Sequence, residues 1–329
     1  MHPHTLTNKK IIIAGGSVFM GQNLAKWFAA NNQIVILTRN ITGSANNKYS
    51  KENIANSNTR YVQWDGKTQG KWSSEIDGCD LVINLSGKSV NCRYNERNKK
   101  EIFDSRTDST KALGEAIRRA ADPPALWINA ASATIYRHAE DRPQDEYTGE
   151  FHNDFSVQVC QRWEKTFFEE ETSCTRKVAL RTAITLGCGG VMTPYLNLCK
   201  WGLGGKQGSG RQMFSWVHID DVCRAIEFLW HHNTLTGVFN LSAPNPVSNA
   251  VFMEKLRKTT GNRIGLPAMK WQLKLGAAII GTETELLLKS RWVLPTRLLE
   301  EGFTFSFATV DAAFNDIVSH LPRKAYHLF

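Results

Sequence analysis

The first half of the chain is built from short apolar runs separated by segments with helical spacing. The runs are KIIIAG (Lys10 to Gly15), QIVILT (Gln33 to Thr38), RYVQW (Arg60 to Trp64), DLVINL (Asp80 to Leu85), ALWINAA (Ala125 to Ala131) and KVALRTAI (Lys177 to Ile184). They are β-branched runs without polar alternation, the pattern of strands covered on both faces. Helical segments follow the first run (VFMGQNLAKWFAANN, from Val18) and precede the fifth (about Tyr94 to Ala121). Strands alternating with helices predict an α/β fold with a doubly wound parallel sheet, the Rossmann arrangement. The Asn- and Ser-rich stretch Asn40 to Asn58 reads as a surface loop between the second and third strands. From about Gly187 the pattern changes to glycine clusters (WGLGGKQGSGR), short elements and Pro-rich turns (SAPNPVS). The expected organisation is a nucleotide-binding domain over 1–186 and a smaller, mixed substrate-side region over 187–329, with late segments returning to the sheet.

The turn after the first strand carries the first candidate chemistry. Gly15, Gly16 and Gly21 stand where a dinucleotide fold needs a tight turn and a close approach of helix to strand. Ser17, Phe19 and Met20 complete that turn and open the helix, whose amides would face a pyrophosphate. Val18 is the misfit, because a third small residue belongs there. A plain strand–helix turn is the alternative. The second strand ends in Thr38 and Arg39, with no carboxylate for ribose hydroxyls. A guanidinium can grip a 2′-phosphate, so NADP is expected over NAD, against the alternative of a solvated arginine. Asp65 after the third strand is placed to meet the adenine amino group. Asn84, Leu85, Ser86 and Gly87 end the fourth strand with small residues at the cofactor face, although Asn84 is equally a turn former. Arg106 is counted with the cofactor set and is also a candidate for holding an anionic substrate.

Composition narrows the class. The 329 residues are 42% hydrophobic and 22% charged, an ordinary globular balance. No apolar run approaches the ~18 residues of a membrane span, and MHPHTLTNKK offers no signal-peptide core. Seven cysteines, without a C-x-x-C pair, argue against a disulfide framework or zinc ribbon. The expectation is a cytoplasmic protein with no metal and no membrane partner. The net charge of +9 would suit nucleic acid, but the basic residues lie in scattered pairs without aromatic interleaving, and an anionic cofactor explains them as well.

Taken together, AGGSVFMG, ILTR, WDG, VINLSG, IFDSRTDST, ASATIY, VCQRWE, GSGRQMFSWVHIDDV and LLLKSRWVLPTRLLEEGFTFSF resemble the extended short-chain dehydrogenase/reductase superfamily. More closely, they resemble its atypical, YfcH-like NAD-dependent epimerase/dehydratase family. The final segment is similar to a C-terminal module of unassigned function in that family. The resemblance implies glycine at position 18. It also implies a catalytic Ser, which maps to Ser132, and a Tyr-x-x-x-Lys pair whose positions hold Ser156 and Cys160. Neither residue can replace that pair, a loss the resemblance extends to the family. Tyr136, Arg106, Arg162 or His218 would then supply protons or hold an anionic small-molecule substrate. Two alternatives stand beside this epimerase- or reductase-like reading. One is a nucleotide-holding sensor or protein-interaction module, division-related as in cyanobacterial and plastid relatives. The other is a scaffold with a decayed site. The loop GLGGKQGSGRQ, with Lys206 and Arg211, is either a lid or a plain connection.

Overall fold

The computed structural model describes residues 5–41, 58–269, 271–273 and 288–328. Its centre is a seven-stranded parallel sheet. β1 (Lys10–Ala14), β2 (Gln33–Thr38), β3 (Thr59–Gln63), β4 (Leu81–Asn84), β5 (Leu126–Ser132) and β6 (Arg176–Thr182) are joined by β10 (Gly237–Leu241), in the order β10-β6-β5-β4-β1-β2-β3. The unbroken apolar runs are explained by where their side chains go. Ile11 and Ile13 of β1 enter one core, and Ile12 and Ala14 enter the other. β2 divides in the same way, with Ile34 and Ile36 on one face and Val35 and Leu37 on the opposite one. Successive residues of a strand point to opposite faces, so a sheet covered twice needs apolar residues at both.

The first face is covered by α1 (Phe19–Phe28) and α5 (Ile219–His231), through Leu24, Phe28, Ile226 and Leu229. The second is covered by α2 (Glu96–Arg119), through Leu113 and Ile117, and by Phe167 of α3 (Phe155–Glu169), with Trp64 and Trp72 beside them. Asn95 caps α2 by accepting from the Asn98 amide at 2.8 Å, and the helix ends just ahead of Pro123-Pro124.

KVALRTAI is two strands rather than one. β6 ends at Thr182, and β7 (Ile184–Leu186) pairs with β9 (Trp216–His218) in a separate two-stranded sheet. The break falls at Ala183, whose amide still bonds to Leu241, while the next amide has changed partner to Ser215. β8 (Met213–Phe214) and β11 (Val247–Ser248) form a third, antiparallel pair. A second core surrounds Phe214, Trp216, Phe252 and Phe314, between α4 (Met192–Lys200), α6 (Asn249–Thr259) and α8 (Val310–Ser319). The short α7 (Thr296–Glu300) lies against β10. The chain thus leaves the sheet after β6, returns with α5 and β10, and leaves again. Most of the expected loop, residues 42–57, lies outside the described residues.

A buried polar hub joins these parts. Arg181 of β6 makes a bidentate pair with Glu164 of α3, Nε to Oε1 at 2.8 Å and Nη2 to Oε2 at 2.7 Å. Its Nη1 donates to the Tyr136 hydroxyl at 2.8 Å, which in turn donates to Asn240 Oδ1 of β10 at 2.9 Å. The Asn240 side chain reaches the Leu294 carbonyl at 2.9 Å. Breaking one side of a buried pair strands the other charge. Arg181→Gln is therefore expected to cost ~3–5 kcal/mol in urea unfolding. A loss under ~1 kcal/mol would show that the pair behaves like a surface ion pair.

Candidate functional site

The glycine turn is held by contacts that leave no room for side chains. Gly15 has φ +76°, and a Cβ there would lie 2.9 Å from the Ser86 Cα. A Cβ on Gly21 would lie 2.3 Å from the Gly16 Cα, so α1 crosses β1 on bare backbone. Val18 is the residue just before α1. Its backbone is extended, φ −113° and ψ 178°, a region that any residue adopts. Its side chain is 63% exposed on the lip of the cleft. Glycine is therefore not required there by the backbone, and the valine methyls meet solvent rather than the strand.

The turn opens onto a cleft of about 490 Å³ at the carboxyl ends of the strands, where open α/β sheets place their ligands. Of the expected cofactor residues it gathers Gly15, Ser17, Thr38, Arg39, Asp65, Leu85, Ser86 and Gly87. The others stand elsewhere. Gly16 and Gly21 form the helix crossing. The Phe19 ring packs beneath Gly187 and Gly190, and Met20 packs on the first core. Asn84 is fully buried; it donates to Asn129 Oδ1 at 2.7 Å and accepts from the Ser86 amide at 3.0 Å, so it positions Ser86 from behind. Arg106 lies behind Gly87, where a Cβ would come within 3.1 Å of its Cζ.

The cleft also contains residues that the sequence reading passed over: Trp64, Lys67, Lys88, Ser105 and Asp108. Trp64 was legible as the residue before Asp65, but its aromatic character reads as core. Lys67 was hidden because only the Asp65 turn brings it to the cleft. Burial alone would raise the Asp65 pKa, but bonds from the Thr68 hydroxyl and amide and the Lys67 amide (2.8 Å) hold it below the usual range. That carboxylate is thus largely occupied by its own turn.

Several groups are left ready for an anionic, aromatic ligand. α1 begins with no side-chain cap and no acidic residue in its first turn, which leaves the positive end of its dipole uncompensated. The Ser86 hydroxyl and the Trp64 indole N–H are buried and have no partner among the described residues. Arg39 is exposed on the cleft and forms no ion pair among the described residues. These features fit a phosphorylated dinucleotide: a turn that only glycine fills, a free helix end and unspent polar atoms.

Comparison with known proteins bears on the same turn. The model of the NAD dependent epimerase/dehydratase family matches residues 11–158, and that of a domain of unknown function, DUF1731, matches residues 270–317. Epimerase family protein SSP1921 of Staphylococcus saprophyticus is 31% identical over 313 residues, 94% of this chain and 99% of that protein. The chain belongs to the NAD-dependent epimerase/dehydratase family. Human epimerase family protein SDR39U1 is 29% identical over 94% of this chain and all of its own length. Its crystal structure with NADPH superposes with a TM-score of 0.81 at 27% identity, covering 95% of this chain and 100% of that one. A UDP-galactose 4-epimerase, at 15% identity and a TM-score of 0.69, shares the fold.

The residues that the sequence offered for chemistry lie around the ends of β5 and α3. Ser132 ends β5, and its hydroxyl accepts the Thr134 amide at 3.2 Å, which leaves its proton available. Ser156 and Cys160, where the sequence resemblance implied a tyrosine and a lysine, lie one turn apart on the buried face of α3. Lys289 Nζ comes within 3.4 Å of Ser156 Oγ and pairs with Asp154 at 2.5 Å, a neighbour the sequence concealed because it arrives from 133 residues away. Burial pushes the Cys160 thiol up to about 12, so it stays protonated. Arg162 is exposed, its guanidinium 5.3 Å from the Phe103 ring, and His218 caps α5 by accepting from the Asp220 amide at 3.3 Å. Glycine-loop residue Gln207 is buried, bonded to Asn249 and Gln212, so that loop is anchored at its middle.

Tyr136 is not placed as a proton donor to a ligand. It is 1% exposed, and its hydroxyl is used by Arg181 and Asn240. Burial pushes its pKa up to about 12. A tyrosine raised in the folded state favours folding below its unfolded pKa of ~10, and that contribution is lost as pH rises toward 12. Tyr136→Phe is expected to cost ~1–3 kcal/mol of stability, because Arg181 and Asn240 lose their partner, and to leave NADPH affinity unchanged. A selective loss of NADPH binding at full stability would return Tyr136 to the site. Val18→Gly is expected to tighten NADPH binding or leave it within about threefold, since only ~0.5–1 kcal/mol of backbone freedom is at stake. A tenfold loss in a fluorescence titration would show that the valine contributes to binding.

Proposed function

We propose that this protein binds NADP(H) in the cleft at the end of β1, β2 and β4, as an epimerase- or reductase-like protein whose Tyr-x-x-x-Lys pair is absent. The observation that carries the reading is Arg39: an exposed guanidinium without an ion pair among the described residues, closing β2 where NAD-specific sites place a carboxylate. NADPH in the human relative's crystal structure supports it. Gly15 and the start of α1 would hold the pyrophosphate, Arg39 and Thr38 the 2′-phosphate, and Trp64 the adenine ring. Asp65 is a weaker adenine partner than its position suggested, because its oxygens serve the 65–68 turn. A nicotinamide supplies or takes a hydride when bound. Beside it, Ser132 would orient a carbonyl or hydroxyl through its free proton.

The same geometry favours holding over rapid turnover. Tyr136 is locked away, and Ser156 and Cys160 cannot move a proton as tyrosine and lysine do. Loss of a positioned general acid costs ~10²–10⁴-fold in rate. Seven free thiols support a reducing, cytoplasmic location, and among the described residues no helix is long and apolar enough to cross a membrane.

NADPH is expected to bind more tightly than NADH, and Arg39→Ala to weaken NADPH by ~1.5–3 kcal/mol, the range of a charged hydrogen bond, while leaving NADH unchanged. Fluorescence titration of both nucleotides checks this, and equal affinities in the unsubstituted protein would remove the NADP assignment.

A further inference from the structure

Among the described residues, Arg106 is a cation without a counter-charge. Its Nη1 donates to the carbonyls of Lys88 and Ile102, both at 3.0 Å, and its Cζ lies 5.0 Å from the Trp163 ring. Among the described residues no carboxylate is within ion-pair distance of it. Carbonyl dipoles and a ring face compensate a guanidinium only in part, and burial pulls its pKa down. A partly exposed guanidinium that faces only carbonyls and a ring keeps donors available for an incoming anion, and such groups cluster at binding sites. The Cys160 thiol that faces it remains neutral, and the Glu164 carboxylate one turn further along α3 is engaged by Arg181.

Other features lie on the same side. The segment that carries Arg291 packs its Val293 into the cluster containing Cys160, and the Arg291 charge acts on that thiol together with the Arg106 charge. Gly87, directly against Arg106, lines the cleft, as does Ser105 beside it in the chain. Nη1 is spent on carbonyls, so Nε and Nη2 remain as a planar two-donor edge, the shape that matches a carboxylate.

We propose that Arg106, assisted by Arg291, is the receptor for the carboxylate of a small organic acid, held beside Cys160 at the inner end of the cleft. This assigns Arg106 to the substrate rather than to the cofactor. It rests on the NADP(H) reading for where the cofactor lies, and it names the class of substrate that would meet it. The Trp163 ring and the neutral thiol give the site apolar walls, and the anion supplies the charge the protein lacks.

Calorimetry on the full chain tests it, with NADPH affinity measured first and succinate and glutarate then titrated with and without NADPH. Succinamide serves as the uncharged isostere and inorganic phosphate as the compact anion. The dicarboxylates are expected to bind and succinamide not to. Arg106→Gln should weaken dicarboxylate binding by about tenfold or more and keep NADPH affinity within about twofold, with Arg106→Lys intermediate. Arg291→Gln gives an independent arm should either Arg106 variant fail to fold, and it should weaken the same ligands. If Arg106→Gln loses NADPH in step with the dicarboxylates, the guanidinium serves the cofactor phosphates and the proposal is overturned. Phosphate binding in preference to both acids also overturns it. If neither acid binds while NADPH does, the proposal fails and the NADP(H) reading stands. Dicarboxylate binding that depends on Arg106 in a chain that does not bind NADPH would sustain the receptor and remove the cofactor reading.

Discussion

One guanidinium ties the sheet to everything placed beyond it. Arg181 sits on β6, the last strand before the chain leaves the sheet, and its donors are divided between a helix carboxylate and a tyrosine hydroxyl. Through Tyr136 and Asn240 the same hub reaches β10 and the carbonyl of Leu294. Such a network is demanding, because each member is buried and each needs all of its partners. It fixes how α3 lies on the sheet, and therefore where Ser156 and Cys160 stand. It also consumes the tyrosine nearest to Ser132 in sequence. Structure and chemistry compete for Tyr136 here, and structure prevails.

The parallel sheet was legible in the sequence because its physical cause is written locally: a strand buried on two faces has no polar alternation. The glycine turn was legible for a related reason, since a Cβ on Gly15 or Gly21 would meet backbone and one on Gly16 would meet the Ile13 and Ile36 side chains. The division of KVALRTAI was not legible. Its residues suit a strand throughout, and the break arises because the hydrogen-bond partner changes from Leu241 to Ser215, both distant in sequence. Tyr136 and Lys289 were obscure for the same reason, because their partners lie 104 and 133 residues away. Arg39 could be named from its position after β2, whereas Lys67 needed the turn that Asp65 builds.

The two ends of the site are organised by different physics. At the adenosine end, backbone curvature and a free helix terminus create a place for negative charge before any side chain contributes. At the inner end, the polar groups come from α2, α3 and the C-terminal segment, and Arg106 meets carbonyls and a ring face in place of a carboxylate. A fold of this kind does not by itself fix the chemistry done on it.

Phe19 gives this division a mechanical side. It is the first residue of the helix that follows the glycine turn, and its ring fills the space under Gly187 and Gly190, in the turn leading to α4 and the second core. Those glycines leave no clearance above the ring. A shift of the start of α1 would carry Phe19 with it against those glycines. The wedge therefore ties the two turns by shape: a larger residue at Gly187 or Gly190 would have to displace Phe19, and with it the start of α1.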